Sequence, residues 1–197
     1  MEEKKTAPAK KESGFKLIAV PAIVLLLISG IAALLLGLVN DVTKDVIAQR
    51  EKEETAAAMR SVMADAATFS EENAADDGTR FYTAFAEDGT VCGYVFITAG
   101  SGYGGEIRVM TGVGADGAVT GIAFLSIDET PGMGMKAQND DFKHQYIGKE
   151  GQLGVSKTQA SDTEIRAITG ATITSKAVTG AVNDALACFA KISGEAK

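Results

Sequence analysis

The sequence predicts an α+β protein: a single N-terminal transmembrane helix, then a domain built on an antiparallel sheet with flanking helices. Three observations carry this. Residues 17–39 form an apolar run without Asp, Glu, Lys or Arg. Two hairpin signatures, Asp88-Gly89 and Asp116-Gly117, each sit between runs rich in β-branched and aromatic residues. Near the end, Val178, Ala181, Val182, Ala185, Leu186 and Phe189 recur at helical spacing on one face.

The apolar run has 23 residues, and a helix needs roughly 20 to cross a bilayer. A cleaved leader has a shorter apolar part, about 7–15 residues, and no small-x-small site follows this one closely. Pro21 lies in its first turns, where a missing N–H costs least. Residues 1–16 hold five Lys and three Glu, and a positive flank stays in the cytoplasm. Four segments follow: a cytoplasmic tail over 1–16, the transmembrane helix over 17–39, a stalk helix and linker over 40–77, and an extracytoplasmic domain over 78–197.

Asp41 can cap the stalk helix, with Val42, Val46 and Ile47 at helical spacing and an end near Ala67. Strands are expected over 79–86, 90–98, 106–113 and 118–127, a short helix over 137–147, extended or looped chain over 151–166, and a last helix from about Thr174 to Lys191. Beyond the tail the chain has 14 Lys and Arg against 23 Asp and Glu, net −9. That balance argues against nucleic acid as a partner and offers no basic patch to anionic lipid. Cys92 lies in an apolar strand-like run and Cys188 in an apolar helix, so both read as small buried hydrophobes rather than a disulfide. With no CxxC and a single histidine, His144, this chain alone lacks the ligands for a zinc or iron–sulfur site.

Three segments do not follow core logic: residues 100–105, 129–135 and 168–175. Glycine there lets backbone approach a ligand closely. The first has no GKS/T after it, and no GxGxxG opens a βαβ unit, so neither a P-loop nor a Rossmann site is read. The third, Thr169-Gly170-Ala171-Thr172, runs straight into the last helix. A helix N-terminus presents unpaired N–H groups that suit a phosphate; taken alone, Thr172 reads first as a helix cap. Glu129 and Thr130 read either as turn chemistry around Pro131 or as ligand contacts. Lys176 reads either as a phosphate neutraliser or as a solvated helix residue.

In this order, Gly102-Tyr103-Gly104-Gly105, Glu129-Thr130-Pro131-Gly132-Met133-Gly134 and Thr169-Gly170-Ala171-Thr172-Ile173-Thr174-Ser175 resemble the FMN-binding domain of the G subunit of Rnf complexes. The chain is also similar to the C subunit of the sodium-translocating NADH:quinone reductase. The resemblance covers roughly residues 90–190. It implies an FMN joined by its phosphate to Thr172 in a phosphoester. Around it would stand Thr169, Gly170, Ala171, Thr174, Ser175, Lys176, Glu129, Thr130, Gly132 and Gly134, with no metal and no catalytic residue of the chain's own. A threonine hydroxyl is a poor nucleophile without a base, so the resemblance implies an extracytoplasmic flavin transferase.

The resemblance further implies an electron-relay subunit of an ion-pumping ferredoxin:NAD+ oxidoreductase, partnered by other Rnf membrane and cytoplasmic subunits and anchored in the lipid bilayer. Two positions depart from the family pattern: Arg166 stands where an Asp usually precedes the acceptor by six residues, and Ile127-Asp128 where a His-Ser pair is usual. Alternatives are the C-type quinone reductase subunit, a membrane-anchored flavin-binding or assembly domain without electron transfer, and a fragment of an exported flavoenzyme. The apolar helix carries no ionisable residue, so this chain is not expected to form the ion pathway itself.

Overall fold

A computed structural model describes residues 14–195, with side chains over 18–194. Residues 1–13 of the expected tail, with Lys4, Lys5, Lys10 and Lys11, lie outside the described residues. Contacts divide the chain into two units, one up to Glu51 and one from Lys52 onward.

The first unit contains most of helix α1, Gly14–Val62. From Ile18 on, this helix is long and apolar enough to cross a membrane, and side chains such as Leu25, Ile31 and Leu36 are exposed. The expected cap at Asp41 is corrected: α1 runs unbroken through it, and Asp41 pairs with Lys44 at 2.9 Å on the helix surface. Neither Asn40 nor Asp41 lacks the N–H a helix needs, and their propensity cost is only about 0.7 kcal/mol per residue at most. The expected end near Ala67 is corrected too. The helix stops at Val62, where the Thr120 hydroxyl donates to the Val62 carbonyl, and Ala67 N–H already donates to Phe85 O at the sheet edge.

In the second unit, six strands form one antiparallel sheet: β1 (Thr68–Phe69), β2 (Asn73–Ala74), β3 (Arg80–Phe85), β4 (Val91–Ser101), β5 (Glu106–Gly114) and β6 (Val119–Ser126). The order is β1-β3-β4-β5-β6, with β2 also on β3. The sheet thus takes in residues ahead of position 78. The two expected hairpins hold, their turns made by Gly89 and Gly117 at φ +80° and +93°. The long β4–β5 ladder pairs Gly93 with Gly114 and Ser101 with Glu106, so the 102–105 turn caps its far end.

One sheet face is covered by the last turns of α1, with Val62, Met63, Val95, Ile97 and Met110 buried together. The other is covered by helix α3 (Thr172–Glu195). Here Phe96, Ile107 and Val109 meet Val178, Val182 and Ala185. Gly100 allows that contact, since a Cβ there would lie 2.2 Å from Ala177 O, and the Thr98 hydroxyl donates to Ala181 O at 2.8 Å. Cys92 packs in the first core and Cys188 in the second, and both are free thiols.

The short helix expected over 137–147 is broken into a 3-10 turn (Gly134–Gln138), helix α2 (Asp140–Lys143) and a second 3-10 turn (His144–Tyr146). Asn139, at φ −70° and ψ 145°, interrupts it. The 151–166 stretch contains a parallel pair, β7 (Gly154–Ser156) with β8 (Glu164–Arg166). Tyr146 fixes this layer to α3: its hydroxyl shares a 2.8 Å hydrogen bond with Thr179, and burial pushes the phenol well above its ordinary range.

Candidate functional site

Helix α3 begins at Thr172, two residues ahead of the sequence expectation. The turn before it is wound tightly. Gly170 takes φ +82°, and Ala171 N–H donates back to Ile168 O at 2.9 Å. The first helical bond runs from Ser175 N–H to Ala171 O. The Ser175 hydroxyl then locks the turn, donating to Ala171 O at 2.9 Å and accepting the Ile168 N–H at 3.0 Å. Thr172, Ile173 and Thr174 therefore precede the first helical acceptor-donor closure, where amide N–H groups and the positive end of the helix dipole are available to an anion.

The other two glycine-rich turns face this helix end. Glu129 is buried, and its Oε1 accepts the Tyr103 N–H at 2.7 Å. Gly102 lets the carboxylate in, since a Cβ there would sit 2.2 Å from Glu129 Oε1. Thr130 O accepts N–H groups from Met133 and Met135 at 3.1 and 3.3 Å, folding the second turn back on itself. Gly134 fits against both neighbours: its Cβ would lie 2.6 Å from Glu129 Oε2 and 2.8 Å from Thr174 Oγ1.

Between the three turns opens a cleft of about 570 Å3, within the size range of small-molecule sites. Of the residues singled out from sequence, Glu129, Thr130, Gly134, Gly170, Ala171, Thr172 and Thr174 line it. Four do not. Thr169 opens on a neighbouring groove, and Ser175 is fully buried as the lock of the turn. Gly132 shapes its turn at φ +75° without forming wall, and Lys176 is exposed on α3 and lines neither cavity. Arg166 also lies on the neighbouring groove, its backbone N–H held by Gln145 Oε1 at 2.8 Å.

Sequence reasoning weighed Met133, with Met135, either as padding for a flavin ring or as core, and left Tyr103 and Ile173 out of the site set. Tyr103, Met133 and Ile173 line the cleft and stay 74%, 45% and 53% exposed at its rim. The available signal was large apolar side chains inside segments rich in glycine and threonine.

The residues present fit a flavin mononucleotide. The cleft is mostly apolar, glycines let its three turns pack closely around it, and a hydroxyl stands at a helix N-terminus suited to phosphate. This arrangement defines a flavin-binding domain: residues 102–187 match the FMN-binding domain family, a stretch that holds all three turns. The chain is 35% identical over 201 residues to the G subunit of the Na+-translocating ferredoxin:NAD+ oxidoreductase complex of Acetobacterium woodii, covering 93% of this chain and 97% of that one. It is 36% identical over 157 residues to the proton-translocating counterpart of Clostridium ljungdahlii, covering 79% and 83%. It is also 36% identical over 187 residues to the G subunit of the ion-translocating oxidoreductase complex of Cereibacter sphaeroides, covering 86% and 83%. The chain belongs to this family, the G subunits of Rnf-type ion-translocating oxidoreductase complexes. Its fold also matches the C subunit of the Na+-translocating NADH-quinone reductase from Parabacteroides distasonis, with TM-score 0.50 and 25% identity over 58% of this chain and 62% of that one.

Proposed function

We propose that this chain is an electron-transfer subunit of a membrane-bound ion-translocating ferredoxin:NAD+ oxidoreductase, carrying FMN esterified through its phosphate to Thr172. The observation that carries the reading is convergence. Three glycine-rich turns far apart in sequence meet in one cleft, and Thr172 stands where that cleft meets the start of α3.

Bound there, FMN supplies one- and two-electron chemistry that no side chain of this protein offers. The protein's own residues hold and shape. Thr172 Oγ1 provides the ester oxygen, and the N–H groups at the start of α3 face the remaining phosphate charge. Gly134 lets Glu129 and Thr174 close against the second turn, Met133 and Ile173 would offer the ring apolar surface, and Glu129 keeps the 102–105 turn in place. A covalent tether keeps the cofactor from being lost outside the cell. Attachment falls to an extracytoplasmic flavin transferase, which matches a domain held outside the membrane by α1 with the tail inside. Full-length relatives named as G subunits favour this assignment over the quinone-reductase C subunit.

The test is ultraviolet fluorescence of the denatured protein on a gel after co-expression with the transferase. The wild-type band is expected to fluoresce and Thr172→Ala to be dark. A fluorescent Thr172→Ala band, or a dark wild type, overturns the reading.

A further inference from the structure

Beside the cleft lies a second groove, of about 520 Å3. Its walls continue those of the cleft: Met133 and Gly134 lead on to Lys136 and Asn139, and Gly170 leads back to Thr169, Ile168 and Ala167. The character changes across that boundary. The cleft is mostly apolar, whereas the groove carries Lys136, Lys157 and Arg166, all exposed. None of these three cations makes an ion pair or a side-chain hydrogen bond among the described residues, while Lys44, Arg80, Lys143 and Lys191 all pair with carboxylates. One carboxylate, Asp141, also lines the groove. Three unpaired cations thus gather on a chain that is net −9 beyond its tail. Next to them, the cleft rim exposes Tyr103, Met133 and Ile173.

We infer that this groove docks an acidic segment of the neighbouring redox protein in the complex, whose apolar residues cover the rim; the inference rests on the electron-transfer reading above. Electron tunnelling falls steeply with distance, so a protein that exchanges electrons with the cleft has to sit over its mouth. The cations lie on three separate elements: the 134–138 turn, the loop after β7 and the end of β8. That spread suits an extended acidic segment, and complementary charge of this kind governs encounter and orientation more than raw affinity.

The test reverses the three charges together, Lys136→Glu, Lys157→Glu and Arg166→Glu, in the full-length protein within the detergent-solubilised complex. Three quantities are read at low and high salt: flavin content by fluorescence of the denatured band, co-purified subunits, and the rate of flavin reduction. Flavin content is expected to match wild type, which also reports a folded cleft. The reduction rate is expected to fall at least about tenfold at low salt. The wild-type rate should fall as salt rises, and the variant's should not. Should the reversal misfold, the neutral set Lys136→Gln, Lys157→Gln and Arg166→Gln is expected to give a partial fall with flavin retained. An unchanged rate and salt dependence overturns the inference. So does lost flavin with a normal rate in the loaded fraction, which would assign the groove to the transferase. A dark wild-type band would sink the Thr172 assignment instead, and salt-dependent co-purification would still read the groove.

Discussion

Glu129 Oε1 accepts the backbone N–H of Tyr103 at 2.7 Å, joining the first glycine-rich turn to the second across 26 positions of sequence. The carboxylate is buried, and no cation pairs with it among the described residues. The two turns form one wall of the cleft through this contact.

Glu129→Ala removes the acceptor and leaves the amide without its partner. A loss of about 1–3 kcal/mol in stability is expected, with weakened flavin retention. Glu129→Gln keeps a carbonyl oxygen for the same N–H and should cost less than half as much. Urea unfolding of the two variants beside wild type checks this. Equal losses would mean that the charge, rather than the hydrogen bond, holds the turn.

Gly170 holds φ +82°, and a Cβ there would come 3.1 Å from Met133 Cε. Gly170→Ala is expected to cost about 1–2 kcal/mol from the left-handed backbone alone, and to lower the fluorescent fraction by tilting the turn that presents Thr172. Gly180→Ala serves as the control, since Gly180 lies within α3 with nothing within 4 Å of its Cβ position. It should stabilise the helix by up to about 1 kcal/mol and leave loading unchanged.

Thr111 is fully buried on β5, and its hydroxyl has no hydrogen-bond partner among the described residues. Thr111→Val replaces a desolvated polar atom with a methyl of similar shape. A gain of about 1 kcal/mol in unfolding free energy is expected. A loss measured by chemical denaturation would show that the hydroxyl has a partner in solution.

Lys191 reaches Asp77 at 2.9 Å, tying α3 to the turn before β3. Hydrogen bonds from Thr79 above all, and then the Lys191 ammonium, hold the Asp77 carboxyl well below the usual carboxylate range. A depressed folded value means the contribution is complete above the ordinary carboxylate pKa and disappears as pH falls through the folded one. Lys191 is shifted upward by the same contact, so its share is present at neutral pH and lost only as pH rises through its raised value. The stability gap between wild type and Asp77→Asn should therefore be flat near neutrality and close in strong acid. Unfolding midpoints across pH give the answer, and a gap that widens in acid would contradict it.

Much of this protein was legible in the order of its residues. The long apolar helix follows from an uninterrupted apolar run whose side chains need no partner to define them. The hairpins follow from Asp-Gly pairs, because the glycine of each supplies the positive φ that closes the turn. The face of α3 follows from 3.6-residue spacing. The local signals at Asp41 and Ala67 misled, since a helix stops where its groups find other partners, and Val62 finds Thr120, 58 positions away.

The site divides along the same line. Sequence patterning marked the three glycine-rich segments, because glycine and hydroxyl patterning is local, and the family resemblance singled out Thr172 among them. It could not tell that Ser175 faces inward as a lock, that Lys176 turns away, or that Tyr103, Met133 and Ile173 form the rim. Nor could it show that Lys136, Lys157 and Arg166, dispersed along an acidic chain, share one groove. Those outcomes depend on which surfaces the antiparallel sheet and α3 bring together. Burial and long-range hydrogen bonds are properties of the packed chain, and they arise only once distant segments share the same space.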